Sequence, residues 1–334
     1  MYLEHFGLTR SPFQIAPDDS LLYLSKKHAK AFVYMDYAAW QPDGFVIVTG
    51  EIGAGKSTLI KRLLRKIKGK AVCFHLPFTN LSNNELLSFM AKQANIRISI
   101  DDKVSLIYAL TDYFKEITSS GIPCVLIIDE AQNLSPSNLE DIRMLAGLEG
   151  PSGSMLRVIM LGQPEFVNTI NESEQMKQRV KLHYHLTGLD LTEVKLYINF
   201  RLELCGLPNH ELFNETLIEA IFKLSNGIPR LINKICDALL ICAFSDNKIK
   251  PDIEDIESIA QDLMMIPHDG EQQASKIRTS SPSSEGLNNT SLDRIATALE
   301  ALCEHLGGAE PVGKKKGPKK STKEGGFLGL RSAK

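Results

Sequence analysis

Gly50-Glu51-Ile52-Gly53-Ala54-Gly55-Lys56-Ser57, with Thr58 directly behind it, is the stretch that decides the fold of this chain. It fits the phosphate-loop pattern G-x-x-x-x-G-K-[ST] at every fixed position. Three glycines in six residues let the backbone turn tightly and bring its N–H groups close to phosphate oxygens. Lys56 is placed to reach the β- and γ-phosphates of a bound nucleotide, and the Ser57 hydroxyl to ligate Mg²⁺. The apolar run at 45–49 before the loop reads as a buried strand. Behind it, Leu59, Ile60, Leu63, Leu64 and Ile67 form an apolar helical stripe. Strand, glycine loop and helix in that order are the context phosphate binding requires, because the helix adds its positive N-terminal end.

Working outward, 71–76 reads as a second strand, followed by helical patterns at 83–94 and 103–119. The turn signal Gly121-Ile122-Pro123 introduces a continuous apolar run at 124–128, suited to a central parallel strand. A helix at 136–148, a strand at 156–161 and an alternating fifth strand at 181–186 follow. Strands alternating with helices predict an α/β fold with a parallel sheet flanked by helices. From 191 the strands stop, and helical patterns at 192–204, 214–225, 229–244 and 252–264 predict a small all-α lid. Residues 1–44 read as an entry segment with a helix from 25 to 40 capped by Ser25. Phe13 and Tyr23 within it are candidates for packing near a nucleotide base or in the core. The expected division is an α/β nucleotide-binding domain over 1–190, a helical lid over 191–266, and a linker and tail over 267–334. That last part holds an isolated amphipathic helix at 291–306 and a disordered Lys-rich end.

Composition narrows the class. The chain has 334 residues, enough for two domains. Its mean hydropathy of -0.09 is that of a globular protein. No run approaches the roughly 18 to 20 apolar residues of a membrane span, and the N-terminus has no secretory pattern. The expected location is therefore cytoplasmic, or peripheral at the inner membrane through partners. Cys73, Cys124, Cys205, Cys236, Cys242 and Cys303 are scattered without a C-x-x-C pair, which argues against a metal site or a disulfide framework. Residues 312–334 hold seven Lys and one Arg against one Glu. The rest of the chain, with a net total of -2, is therefore acidic and advertises no large nucleic-acid surface.

Asp129 and Glu130 close the run 124–128. In open α/β sheets ligands sit at the carboxyl ends of the strands, so this pair faces the phosphate loop. Asp129 is suited to support Mg²⁺, and Glu130 to orient and deprotonate the water that attacks the γ-phosphate. Gln163, ending the next strand, is suited to hydrogen-bond both phosphate and water. Charge accumulating on the transferred phosphoryl group calls for arginines. Arg230 opens a lid helix and is placed to reach the nucleotide of its own chain. Arg179, just before the fifth strand, is a candidate finger for a neighbour's site, with Arg143 as competitor and a surface salt bridge as the alternative for each. Lys61, Arg62, Arg65, Lys66, Lys68 and Lys70 give the helix after the loop a basic face, the one candidate DNA patch in the body.

These residues resemble a known family. The opening Tyr2 to Leu8, then Pro12-Phe13, Pro17-Asp18 and Leu22 to Ser25, is similar to the start of the ExeA branch of AAA+ ATPases. The phosphate loop, Ile128 to Gln132, Leu161 to Glu165, Gln178-Arg179 and Gly227 to Arg230 follow that family's order over about residues 1–265. The resemblance implies Walker A and B roles for Lys56, Ser57, Asp129 and Glu130. It also implies sensor roles for Gln163 and Arg230, and a finger near Arg179. A finger supplied in trans implies a homo-oligomeric ring or filament. Secretion-type members add a membrane span and a cell-wall-binding module after the lid, which this sequence is not expected to carry. The expected function is an ATPase that uses ATP and Mg²⁺ to assemble or remodel a complex in secretion or envelope export, with other proteins of that complex as partners. The alternative is an ATP-dependent DNA-binding regulator of transposition.

Overall fold

The computed structural model describes residues 2–14, 23–96, 102–151, 153–208 and 212–262. The predicted linker, the 291–306 helix and the Lys-rich tail lie outside the described residues. The strands are β1 (Phe45–Gly50), β2 (Val72–Leu76), β3 (Cys124–Ile128), β4 (Glu149–Gly150), β5 (Gly153–Ser154), β6 (Leu156–Gly162) and β7 (Leu182–Leu186). Five of them form one sheet in the order β2-β3-β6-β1-β7, parallel throughout. β4 and β5 make a separate antiparallel pair that the sequence pattern does not announce, since two residues are too few to show a period. The five strands of the main sheet are those expected from the sequence.

Every residue of β1, β3 and β6 is buried, as the continuous apolar runs require of parallel strands covered on both faces. The covering helices are α2 (Lys26–Trp40), α3 (Lys56–Ile67), α4 (Asn83–Gln93), α5 (Lys103–Ser119) and α6 (Pro136–Ala146). Alternation along β1 divides the two cores. Phe45 and Ile47 pack with Leu87, Leu110, Phe114 and Ile142 from α4, α5 and α6. Val46 and Val48 pack with Met35, Leu59 and Leu63 from α2 and α3. The outer edge of β2 is closed by one side chain. Gln93 accepts a hydrogen bond from the His75 N–H at 3.0 Å and donates to the His75 carbonyl at 2.9 Å, imitating a further strand where an open edge invites pairing.

Short helices α7 (Phe166–Asn171) and α8 (Glu174–Arg179) link β6 to β7. Beyond the sheet, α9 (Leu191–Leu204), α10 (Glu215–Ser225), α11 (Pro229–Ser245) and α12 (Ile253–Asp262) enclose a third core of Ile198, Leu217, Ile221, Ile235 and Leu239. Phe6, Leu8 and Phe13 belong to this helical core, and helix α1 (Tyr2–His5) lies against α11. The sequence reading puts these residues with the α/β part. Apolar residues in an irregular segment carry no period to say which surface they cover, so only the tertiary structure decides it. Phe13 is fully buried, with its ring edge-on to Phe213 at 5.8 Å, so it is a core residue of the lid.

This packing predicts that Phe13→Ala costs about 3–5 kcal/mol of local stability. Hydrogen exchange should rise in α9–α11 while β1, β3 and β6 keep their protection. Equal loss of protection in sheet and lid would mean that the N-terminal segment is not specific to the lid.

Candidate functional site

The loop 50–57 runs from the end of β1 into the first turn of α3, at the carboxyl end of the sheet. Gly53 and Gly55 both hold positive φ, +87° and +101°. A Cβ on Gly53 would lie 2.5 Å from the Cβ of Arg230, so only glycine admits the lid helix this close. The Arg230 N–H donates to the Gly53 carbonyl at 3.3 Å. The structure thus brings Arg230, exposed in the first turn of α11, directly onto the phosphate loop.

Lys56 is 5% exposed. Its ammonium donates to the carbonyls of Gly50 at 2.6 Å and Glu51 at 3.0 Å, across the mouth of its own loop. Burial pushes this ammonium below its usual range, and Glu130, Asp129, Glu51 and Glu165 pull it back up. It is therefore a cation held by surrounding carboxylates and carbonyls and positioned for anionic oxygens.

Ser57 Oγ donates to Asp129 Oδ2 at 2.7 Å. The contact joins the start of α3 to the end of β3, passing over β6, which lies between β1 and β3. A hydroxyl and a carboxylate side by side at the loop mouth form an all-oxygen donor pair, which fits Mg²⁺. Glu130 follows in a left-handed backbone conformation, φ 51°, with its N–H donating to Asp129 Oδ1 at 3.0 Å. That turn takes the chain out of the strand, so the alternation that would send consecutive carboxylates to opposite faces of the sheet stops at Asp129.

Gln163 sits just past β6, between the ends of β1 and β3. One residue ties it to Glu130. Gln132, in a single 3₁₀ turn over Ala131–Asn133, donates from Nε2 to Glu130 Oε2 at 2.6 Å and accepts from the Gln163 N–H at 3.0 Å. Thr79 adds a hydrogen bond from Oγ1 to the Glu130 carbonyl at 2.7 Å. Sequence reasoning misses Gln132 and Thr79 as site residues. Gln132 carries a faint signal, two residues after Glu130; Thr79 carries none.

Arg179 and Arg143 lie apart from this group. Arg179 closes α8, and the chain then enters β7 with the Lys181 N–H bonded to the Phe45 carbonyl at 2.9 Å. That is the amino end of the sheet, and β1 from Phe45 to Gly50 interposes about 16 Å of strand at 3.3 Å per residue. Arg179 is half-buried, and its Nη2 donates to the Ala146 carbonyl at 3.1 Å. Arg143 is engaged twice by Glu140, at 2.6 and 2.7 Å. On α3, Arg62 and Lys66 lie over the Phe32 ring and Lys66 pairs with Asp36. Two of the six residues of the basic face are thus engaged within the fold. Among the described residues, one further grouping of metal-ligating atoms exists, Cys242, Asp246 and Asp255 in the lid. The Lys248 ammonium already sits there, 2.6 Å from Asp255.

An AAA domain model matches residues 39–170, the span that holds the loop, Asp129, Glu130 and Gln163. Over 277 residues the chain is 33% identical to general secretion pathway protein A of Aeromonas hydrophila, covering 82% of this chain and 50% of that protein. The chain therefore spans about half the length of this relative. Among solved structures, Cdc6p from Pyrobaculum aerophilum is similar with a TM-score of 0.58, at 17% identity over 74% of this chain and 71% of that one. Drosophila ORC bound to DNA is similar with a TM-score of 0.56, at 14% identity over 91% and 81%. Such identities speak for the fold alone, a parallel-sheet P-loop ATPase fold, and that fold is the one built above from the strand order and the phosphate loop. With the sequence relative and the loop geometry in agreement, the chain carries an AAA domain and is similar to the ExeA-like branch of the AAA ATPases.

Proposed function

We propose that this ATPase turns over Mg²⁺-ATP in a head-to-tail homo-oligomer, ring or filament, and uses the cycle to assemble or remodel a protein complex of secretion or envelope export. The observation that carries the catalytic reading is the Ser57–Asp129 hydrogen bond with Glu130 beside it. The loop N–H groups of residues 50–58 hold the phosphates, and Lys56 exchanges its carbonyl partners for phosphate oxygens. Mg²⁺, held by Ser57 and Asp129, supplies positive charge against the phosphate oxygens. Glu130 accepts the proton of the attacking water as the new P–O bond forms and the bond to the departing ADP oxygen breaks. Gln132 keeps the Glu130 carboxylate oriented, and Gln163 holds the water and the γ-phosphate in line. Arg230 offsets the charge developing on the phosphoryl group from within the same chain.

Arg179 acts in trans. Its place at the amino end of the sheet, a strand length from its own loop, supports this, because only a neighbour's nucleotide is then within reach. The sequence relation to general secretion pathway protein A supports a secretion complex as client. In this reading the chain works in the cytoplasm, or peripherally at the inner membrane through its partners. Among the described residues no helix is long and apolar enough to cross a membrane.

A second reading, ATP-controlled DNA binding, is favoured by exposed Lys61, Lys68 and Lys70 on and just beyond α3 and by the DNA-bound ORC that shares the fold. It is the weaker reading because Arg62 and Lys66 are engaged by Phe32 and Asp36.

Glu130→Gln should lower kcat by about 100-fold or more while ATP affinity stays close to wild type. Turnover at the wild-type rate would remove Glu130 from the mechanism. Arg179→Ala alone should lose about 10³-fold in kcat. Mixing it with Lys56→Ala subunits should restore part of the activity, because each then supplies what the other lacks. No recovery in the mixture would argue against a shared site. For the client, duplex DNA titrated at low salt with ATP should show no binding that steepens as salt falls. Salt-sensitive, ATP-dependent binding lost on changing Lys61, Lys68 and Lys70 to Glu would favour the DNA reading.

A further inference from the structure

The phosphate loop is supported from behind by a histidine that no motif includes. His28, in the first turn of α2, is 5% exposed, and its Nε2 lies 2.8 Å from the Ala54 carbonyl oxygen. A carbonyl only accepts, so Nε2 carries the proton and Nδ1 is bare. Nδ1 lies 2.9 Å from Ser25 Oγ, which donates to it while accepting the His28 N–H at 3.4 Å. Ser25 thus sets the tautomer that the loop needs. Burial pushes the imidazole below its usual range and keeps it neutral. The third partner is an absence of side chain: a Cβ on Gly55 would come within 2.8 Å of Nε2. Gly55 is required here by the imidazole as well as by its left-handed backbone.

We propose that His28 is a positioning residue of the ATP site, which holds the phosphate loop in its binding shape before the nucleotide arrives. The physical step is simple. In a trans peptide the C=O and N–H point in opposite directions. Drawing the Ala54 carbonyl inward onto His28 therefore aims the Gly55 N–H outward, to the side where phosphate binds. The segment that carries the imidazole is anchored on the lid side. The neighbouring Lys27 ammonium donates to the Gly188 carbonyl at 2.6 Å and lies 3.9 Å from Glu193 on α9. Tyr23 meets Tyr197 and Phe200 of the same helix at 5.8 and 5.6 Å. Three residues of one short segment, Tyr23, Lys27 and His28, thus touch the lid, the lid entrance and the back of the loop. This inference rests on the reading of the loop as an ATP site.

Losing preorganisation of this kind taxes binding and leaves the bound state unchanged. For the full chain, His28→Leu should raise KM for ATP and the dissociation constant for a fluorescent ATP analogue by about 3- to 10-fold, with kcat within about twofold. His28→Gln, which restores an N–H donor at similar reach, should recover most of the affinity. Ser25→Ala, which frees the tautomer, should fall between them. The proposal is overturned by unchanged KM in His28→Leu, or by His28→Gln binding as weakly as His28→Leu while melting like wild type. Where His28→Leu does not fold, Ser25→Ala decides, and wild-type affinity in it overturns the proposal. Wild type and Lys56→Ala run alongside: wild type binding no better than Lys56→Ala removes the ATP site itself. Tight wild-type binding with an unaffected His28→Leu removes only the role of His28.

Discussion

A single 2.7 Å hydrogen bond, from Ser57 on the first turn of α3 to Asp129 at the end of β3, spans the carboxyl edge of the sheet over the intervening β6. It requires that β1, β6 and β3 hold one fixed register. The parallel register supplies that condition: Gly162 of β6 pairs with Thr49 of β1, and Met160 with Ile128 of β3. A slip of one residue in either ladder would turn alternate side chains to the wrong face and separate the hydroxyl from the carboxylate. The two apolar cores above and below the sheet are therefore conditions of the chemistry as well as of stability, because they specify that register.

The electrostatics follow from the same convergence. A lysine buried this far is costly unless its charge is met. Lys56 is met by two carbonyls of its own loop and by carboxylates drawn from β3 and from the residues after β6. An anionic ligand can replace the carbonyls without leaving the ammonium unpaired at any stage. The acidic residues opposite would repel a triphosphate on their own. With Ser57 they form an oxygen donor set that fits a dication.

Support for the loop comes from two directions. From above, Arg230 rests its backbone on Gly53. From below, His28 holds the Ala54 carbonyl. Both supports trace to parts of the chain that also contact the lid: α11 is a lid helix, and the segment ahead of α2 lies on α9. The first fourteen residues extend this connection, since Phe6, Leu8 and Phe13 are part of the helical core. Loop and lid are therefore joined on two sides. A change in what the loop holds has a short packed route to the helices that end the described chain.

The sequence by itself was enough for the parallel α/β sheet and the helical lid, and it singled out Lys56, Ser57, Asp129, Glu130, Gln163 and Arg230 as site candidates. These are legible because each is written locally: a period of 3.6 or an unbroken apolar run for the elements, and the end of a strand for the site. What only the tertiary structure decided are the contacts between residues far apart in the chain. His28 beneath Gly55, Gln132 between Glu130 and Gln163, Phe13 in the lid, and Arg179 at the far end of the sheet belong to this class. Their side chains are ordinary in sequence, and a buried histidine or phenylalanine reads the same whichever surface it covers. Their roles come from the distances that folding closes, and the one-dimensional pattern does not contain those distances.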